Sequence, residues 1–349
     1  MKIKDISSIS PQNTYQNEHY LHDIKNYFGN KLMAIEPDYS GLIAPSQLRR
    51  MGKALRMGIG CGLLLLRKHE NIDGIIIGTS EGGLEDCIKF LNQIVDYDEG
   101  TLTPTNFVQS TPNALAGQLA LITGNNGYNI THVNKGLAFE NALIDAKMLF
   151  EQKDAKMLLV GGVEEISLYN YNIEFLSGHF KTIECDSSQL NSSNTEGTIC
   201  GESASMFIVE SNSQADDICV RNVETIAYPN SDDIRELLCR ITNKNLGGIE
   251  EIDALIVGIN GDIRTDFWYH DMVKSNFENK TIITYKNLVG EHPTSTAFAL
   301  KLAHDIIKYQ IVPEQILLKN SHKKIENVLI YNHFKGVQHS FIYVERQKG

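Results

Sequence analysis

The order of apolar segments in this chain repeats, and that repetition limits the folds open to it more than any single motif does. Val- and Ile-rich runs in the first part read as buried strands at Ile3–Ile9, Gly74–Gly78, Tyr128–Val133, Met157–Val163 and Ser203–Glu210. Longer patterned stretches between them read as helices over Pro45–Arg67, Leu84–Ile94, Asn113–Thr123 and Gly136–Gln152. A second series follows, with strands at Ile218–Ala227, Ile252–Ile259, Thr281–Tyr285, Val328–Tyr331 and Ser340–Val344 and helices near Asp232–Arg240, Phe267–Phe277 and Thr294–Tyr309. Each series runs strand, helix, strand, helix, strand, helix, strand, strand. This predicts a duplicated α/β unit, although the two series share no visible sequence identity. The polar stretch Glu210–Asp217 separates them, so halves 1–213 and 214–349 are expected to close into one compact unit. The hydrophilic run 186–194 reads as a surface loop.

Composition removes several classes of function. A chain of 349 residues can bury a substantial core. Its apolar run Gly62–Leu66 stops at Arg67 and Lys68, well short of the roughly 20 residues that a bilayer crossing needs. The charged start Met1-Lys2-Ile3-Lys4-Asp5 lacks the apolar stretch of a secretory signal, so a cytoplasmic protein without membrane contact is expected. A net charge of -11 argues against nucleic acid as a partner, since neutralising phosphates takes clustered Lys and Arg. The six cysteines (Cys61, Cys87, Cys185, Cys200, Cys219, Cys239) form no C-x-x-C and no zinc-ligand spacing, so they read as reduced structural thiols, with no metal. Gly58-Ile59-Gly60-Cys61-Gly62 lies inside a helical stretch with no strand directly before it, which excludes a dinucleotide-binding turn.

Several segments carry a more specific signal. Pro104-Thr105-Asn106-Phe107-Val108-Gln109-Ser110-Thr111-Pro112-Asn113-Ala114-Leu115-Ala116-Gly117 reads as a loop with Pro and Phe leading to an Asn-x-x-x-Gly helix. It continues without a gap through Gly124–Thr131, and Val160-Gly161-Gly162-Val163-Glu164 and Gly201-Glu202-Ser203-Ala204 follow at fixed intervals. Leu48–Lys53 and Lys286–Ala297 extend the pattern towards both ends. In joint order and spacing these segments resemble the β-ketoacyl-ACP synthases. The resemblance implies an α/β thiolase-like fold, built of duplicated halves with five-stranded mixed sheets layered αβαβα. Gly117, Gly161 and Gly162 would then allow close backbone approach, a task for residues without a Cβ.

The same resemblance locates what is missing. Ketoacyl synthases attack a thioester with a cysteine at a helix start, assisted by two histidines. Along the gapless match the cysteine position holds Gly136, which cannot be acylated. The first histidine position holds Asn260, which does not titrate near neutrality, within a segment about two residues shorter than the family pattern. Asp262 and Arg264 stand where the family places pantetheine-contacting threonines. The last motif keeps Lys286 but puts Glu291 in the second histidine position, with His292 one place along. Loss of a nucleophile alone costs roughly a million-fold in a comparable covalent enzyme.

By resemblance, the chain is therefore similar to the chain-length factors: non-catalytic subunits that pair with an active ketoacyl synthase in fatty-acid or polyketide-type biosynthesis. Many of those carry Gln at the nucleophile position, from which Gly136 departs. The short chain and Gly290–Thr294 look most like subunits of aryl-polyene or flexirubin-type clusters. The implied partners are an active synthase in a heterodimer and, indirectly, its acyl carrier protein. No cofactor of this chain's own is implied, the acyl chain being held on the phosphopantetheine of the partner's carrier. Phe107, Gln109, Thr111, Asn113 and His132 would lie at or near a shared acyl tunnel and set its depth. The residues themselves leave two alternatives: an enzyme using Glu291, His292 or Asn260 on acyl thioesters as a hydrolase or dehydratase, and a homodimer that binds an acyl ligand.

Overall fold

Alternation along the strands decides how this molecule is layered. In the computed structural model, which describes residues 1–102, 104–245 and 248–348, strand β2 (Gly74–Gly78) points Ile76 into one core and Ile75 and Ile77 into another. Strand β7 (Ala254–Val257) does the same, with Ile256 facing the first core and Leu255 and Val257 a third. Strands buried on both faces need apolar residues at every position, which is why these segments read as continuous runs. The result is five layers. Helices α1 (Lys53–Leu66) and α4 (Ala114–Thr123) cover one outer face. Helices α5 (Ala138–Gln152) and α9 (Ser295–Tyr309) fill the middle. On the other outer face lie α7 (Ser231–Asn245) and α8 (Phe267–Asn276).

The sheet itself has 11 strands. Its first half is β1 (Lys2–Ile9), β2, β3 (Tyr128–His132), β4 (Met157–Glu164) and β5 (Ser203–Glu210), in the spatial order β3-β2-β4-β5-β1. The second half is β6 (Ile218–Ala227), β7, β8 (Thr281–Thr284), β10 (Asn327–Phe334) and β11 (Gln338–Arg346), in the corresponding order β8-β7-β10-β11-β6. Within each half the fifth strand runs antiparallel to both its neighbours and the others pair parallel. The halves join where β1 meets β6 antiparallel at Lys2 and Cys219. This is the duplicated α/β unit that the apolar order predicts, in the five-stranded αβαβα arrangement that the resemblance implies.

The duplication reaches individual hydrogen bonds. Asp73, just before β2, accepts through Oδ2 from the amides of Lys156 (2.6 Å) and Met157 (3.0 Å) at the start of β4. Asp253, just before β7, accepts through Oδ2 from the amides of Glu326 (2.9 Å) and Asn327 (2.8 Å) at the start of β10. Their carbonyls in turn accept from the amides of Tyr128 (3.0 Å) and Thr281 (3.3 Å). One carboxylate in each half thus sets the register of three parallel strands.

Some expectations need correction. The helix expected over Pro45–Arg67 is two: a single turn at Pro45–Leu48, then α1 from Lys53. The break falls at Gly52, whose backbone is extended and pressed so close to Asp86 that a Cβ would lie 2.2 Å from Oδ2. The stretch read as a loop after Pro104 forms a short helix, α3 (Pro104–Gln109). A strand absent from the sequence reading, β9 (Leu317–Lys319), adds itself antiparallel to β8 at the edge. The run 186–194 is not a free surface loop: it coils into a 3-10 turn over Ser187–Ser192 whose Leu190 is buried against Leu32 and Ile199. Close approach does occur at Gly161 and Gly162, where a Cβ would meet Met206 Sδ at 2.0 Å and Ala297 Cβ at 2.8 Å. It does not at Gly117, whose nearest neighbour would be 3.9 Å away; Gly58 and Gly62 provide the α1–α4 crossing instead, against Leu115 and Leu119.

Asp73 is exposed whereas Asp253 is half-buried and also accepts from Asn327 Nδ2 (3.2 Å), so water replaces the lost bonds more readily at the first. Asp253→Ala should cost about 2 kcal/mol and Asp73→Ala about 1 kcal/mol in denaturant unfolding. Equal losses would contradict the role given to burial here.

Candidate functional site

Gly136, which the resemblance aligns with the nucleophile, lies just past the end of β3, where a 3-10 turn over Lys135–Leu137 leads into α5. Lys135 is held in the left-handed region (φ 46°) and its ammonium reaches Glu81 Oε1 at 3.1 Å. Gly136 is buried, and its Cα faces the side chain of Phe334: an added Cβ would lie 2.1 Å from Phe334 Cβ and 2.7 Å from Cγ. Phe334 ends β10 at a tight turn in which Lys335 (φ 55°) and Gly336 (φ 65°) are both left-handed and the Val337 amide donates back to the Phe334 carbonyl (3.0 Å). The first residue of β11, Gln338, then accepts from the Gly136 amide through Oε1 (2.8 Å) and donates through Nε2 to Asn134 Oδ1 (3.2 Å). One hairpin of the second half thus fills the side-chain space of position 136. It also occupies the amide that could otherwise polarise a thioester carbonyl.

Asn260 and Glu291, which the resemblance aligns with the two histidines, come together. Asn260 Nδ2 donates to Glu291 Oε2 (2.7 Å), and Lys286 Nζ contacts the same oxygen at 2.7 Å, all three residues being buried. The lysine also reaches the His333 carbonyl (3.4 Å). Backbone bonds fix the segment: the Glu291 amide donates to the Ile199 carbonyl (2.8 Å) and the Gly201 amide to the Glu291 carbonyl (3.0 Å). Asp266 belongs to this site and was missed in the sequence. It accepts from the amides of Asn260 (3.1 Å) and Gly261 (2.8 Å), and burial still pushes its carboxyl up to about 6. Its only sequence signal is an acidic residue directly before the apolar start of α8. Outside the site, Arg264 donates to both oxygens of Asp262 (2.8 and 2.6 Å) and to the Gly178 carbonyl (2.7 Å). This ion pair forms one wall of an open cleft of about 350 Å³ that also touches His179, Asn260, Thr265 and Lys335.

His292 points elsewhere. Its Nε2 lies 2.8 Å from Ser203 Oγ, and burial, reinforced by the charge of Lys286, pushes its basicity down to about 3. A Ser–His contact of this length has the geometry of an activated nucleophile. Here, however, both groups are buried, and no carboxylate among the described residues hydrogen-bonds Nδ1 to hold the ring as the third member of a triad. The other thiols are no better placed. Cys61 lies within α1 with Sγ 3.8 Å from the Ala204 carbonyl, and burial pushes it up to about 12. Cys200 is buried beside the Glu291 backbone, and burial, then Glu202, raises its thiol above the usual range. Neither supplies thiolate near neutrality.

The expected tunnel residues fall into two groups. Gln109 and Thr111 line a small apolar cavity of about 10 Å³, with Leu55, Leu115 and Val163 among its other walls. That is the space of about one water. Phe107, Asn113 and His132 are not among its walls. Phe107 is 58% exposed on α3 and packs against Phe90 at 5.3 Å between ring centres. Asn113 Oδ1 accepts from Thr131 Oγ1 on β3 (3.0 Å) and caps no amide of α4. His132 Nε2 lies 2.9 Å from Asp145 Oδ2 on α5.

Against known proteins, residues 31–171 match the family described as beta-ketoacyl synthase, N-terminal domain. No curated protein matches the sequence. Among solved structures, the ketosynthase ApeO in complex with its chain length factor ApeC from Xenorhabdus doucetiae superposes with a TM-score of 0.80 at 14% identity, over 99% of this chain and 98% of that one. The ishigamide ketosynthase/chain length factor gives a TM-score of 0.73 at 16% identity, over 100% and 99%. A beta-ketoacyl synthase from Burkholderia phymatum gives a TM-score of 0.78 at 14% identity, over 100% of both chains. At these identities the likeness establishes the fold, the thiolase fold of ketosynthases. No helix among the described residues is long and apolar enough to cross a membrane.

Three outcomes follow from the geometry. Gly136→Cys should lose about 1–3 kcal/mol through overpacking on Phe334 and gain no condensing activity in an acyl-transfer assay. Glu291→Gln should cost about 3–5 kcal/mol in unfolding, because it strands the buried Lys286, whereas replacing both residues by apolar ones of similar volume should cost far less. Glu140, in the first turn of α5, is fully buried and accepts from Ser340 Oγ (2.7 Å), and burial pushes its carboxyl from the ordinary 4.5 up to about 7. A raised carboxyl makes the folded state bind more protons than the unfolded one, so its contribution to stability falls as pH rises from about 4.5 to 7. Glu140→Gln should remove that fall, by up to about 3 kcal/mol, when unfolding is followed against pH.

Proposed function

We propose that this chain, which has the ketosynthase fold, serves as a non-catalytic subunit of the chain-length-factor type. It would pair with an active ketosynthase and shape the space into which the partner's acyl chain grows. The observation that carries this reading is the filled nucleophile position, where Phe334 and Gln338 occupy both the volume and the amide of Gly136. A site that formed a thioester would need both free. Glu291 is committed to Lys286 and to the Asn260 side-chain amide, so it cannot act as an acid or base without leaving a buried lysine unpaired. The Asp262–Arg264 pair at the mouth supports loading of the partner rather than of this chain, the growing chain staying on the phosphopantetheine of the partner's acyl carrier protein.

A surface suited to a partner is present. β3 is the last strand of the sheet, so its outer edge carries unpaired backbone groups. On it and beside it Ile130, Val133 and, on α4, Leu121 are exposed, apolar side chains that an isolated soluble chain would ordinarily cover. An obligate interface of about 2,000 Å² or more fits such a face. Two of the similar structures are themselves ketosynthase and chain length factor together, which supports a heterodimer. For the pathway, the ketosynthase fold supports fatty-acid or polyketide-type biosynthesis, and the Gly290–Thr294 stretch the aryl-polyene or flexirubin type within it.

Co-expression with a ketosynthase that retains its cysteine and both histidines tests the proposal. The two chains should co-purify, and Ile130→Asp, which puts a charge into the edge, should weaken the complex at least tenfold and alter product length. A chain that stays monomeric beside the synthase and leaves product length unchanged would refute it. Hydrolysis or dehydration of acyl thioesters by the isolated chain, abolished in Glu291→Gln, would favour a rewired enzyme instead. A self-dimer with a filled pocket would favour an acyl-binding protein.

A further inference from the structure

The hairpin that fills position 136 carries two histidines at its base. His333 on β10 and His339 on β11 are paired directly opposite each other, one step inside Phe334 and Gln338, with ring centres 5.3 Å apart. Both are completely buried. Histidine ordinarily changes charge just below neutrality, so proton uptake at either ring would put a positive charge inside the protein.

Hydrogen bonding holds the pair neutral. His333 Nε2 donates to the Thr265 carbonyl (3.1 Å), and Nδ1 accepts from the amide of Gly336 (3.3 Å) in the left-handed turn. A second proton on Nδ1 would break the bond that ties the turn to its strand. His339 Nδ1 meets the Tyr331 hydroxyl (3.0 Å), and its Nε2 has no hydrogen-bond partner among the described residues. Protonated, that ring would leave a buried donor unanswered. Aromatic rings cover both: Tyr269 stacks on His333 and Trp268 stands edge-on to His339, with centres 4.4 and 4.9 Å apart.

The charges around the pair do not compensate. Lys286 Nζ contacts the His333 carbonyl (3.4 Å) and is itself paired with Glu291. Lys335, in the turn, pairs with Glu174 of α6 (Leu168–Leu176) at 2.6 Å. Lys135, beside Gly136, is taken by Glu81 ahead of α2 (Leu84–Asp96). His179 stands against Phe334, with ring centres 6.1 Å apart. At the start of α8 Asp266 holds the amides of Asn260 and Gly261, while His270 and Asp271 are exposed. On α5, Glu140 bonds Ser340, next to His339. Thus no carboxylate among the described residues hydrogen-bonds either imidazole. Burial, reinforced by Lys286 and His339, holds His333 well below its usual range, and burial pushes His339 down to about 4.

We infer that His333 and His339 make the closure of position 136 acid-labile: proton uptake by either ring releases the tip of the β10–β11 hairpin, which withdraws Phe334 and Gln338 and frees the Gly136 amide. A histidine kept neutral in the closed hairpin, and titrating at its ordinary 6.5 once open, favours the closed form above that pH and ceases to do so as pH falls towards 4. Asp266 and Glu140, both raised by burial, act with the opposite sign, so opening in acid does not come from them.

Hydrogen exchange in the full chain tests this, with each rate divided by the chemical rate at the same pH. Between about pH 6 and 5, protection of the Gly136 amide should fall about tenfold for each histidine that takes up a proton on opening, while the amides of β2 stay protected. In His333→Asn with His339→Asn, which cannot titrate and leaves His179 in place, the fall should disappear. Constant protection in the unaltered chain, a fall shared by β2, or an equal fall in the double variant would overturn the inference. Should the variant fail to fold, Trp268 decides, being the one tryptophan of the chain and in contact with His339. Its emission in the unaltered chain should drop between about pH 6.5 and 4 with far-ultraviolet circular dichroism unchanged, because an imidazolium beside an indole quenches it. Constant emission over that range refutes the inference.

Discussion

Phe334 against Gly136 is the contact on which the rest of this site depends. It joins residues 198 positions apart, one from each half of the duplicated chain, and it leaves no gap between them. A tight turn with two left-handed residues brings β10 to its end at the required place, and the next residue but three, Gln338, secures the Gly136 amide. Position 136 is therefore closed from two directions, by volume and by hydrogen bonding. The lack of a side chain at 136 is what permits the closure, since a Cβ there would overlap the phenylalanine. Glycine and plug belong together, and each makes the other tolerable.

The charged pair next to it follows the same logic. A lysine with no solvent contact is stable only when a counter-charge and hydrogen bonds surround it. Glu291 supplies the charge and Asn260 a donor to the same carboxylate oxygen. Read singly, Asn260 and Glu291 are two departures from the pattern that the sequence resembles. Read with Lys286 they are one three-residue arrangement in which each side chain is explained by the others. Asp266 completes it from below by holding the two amides that begin the loop.

How much of this was legible in the sequence depended on range. Strands buried on both faces announce themselves as unbroken apolar runs, so β2 and β5 were found at their observed limits and the doubled order emerged from them. Gly136, Asn260 and Glu291 were located by register along a pattern, which needs no knowledge of contacts. What register could not supply was the partner of each position. Phe334 carries no mark of its role, because it meets Gly136 only after both halves have folded. β9 is three residues long and has no pattern to detect. Leu190 hides within a polar run because one apolar residue suffices to anchor a turn to Leu32 and Ile199. Gly52 breaks a helix for a tertiary reason, the approach of Asp86, that its neighbours in sequence do not encode.

A site that turns over substrate must keep a hole, a free donor and a group whose protonation can change, and each of these destabilises the folded state. At position 136 and its two companions none of the three is kept: the hole holds a phenyl ring, the donor has an acceptor, and the ionisable groups neutralise one another. The apolar surface left unsatisfied has moved to the outside, onto the edge of β3 and the neighbouring helices. On the proposed reading, the demand that remains is for a partner at this surface rather than for a substrate in the pocket.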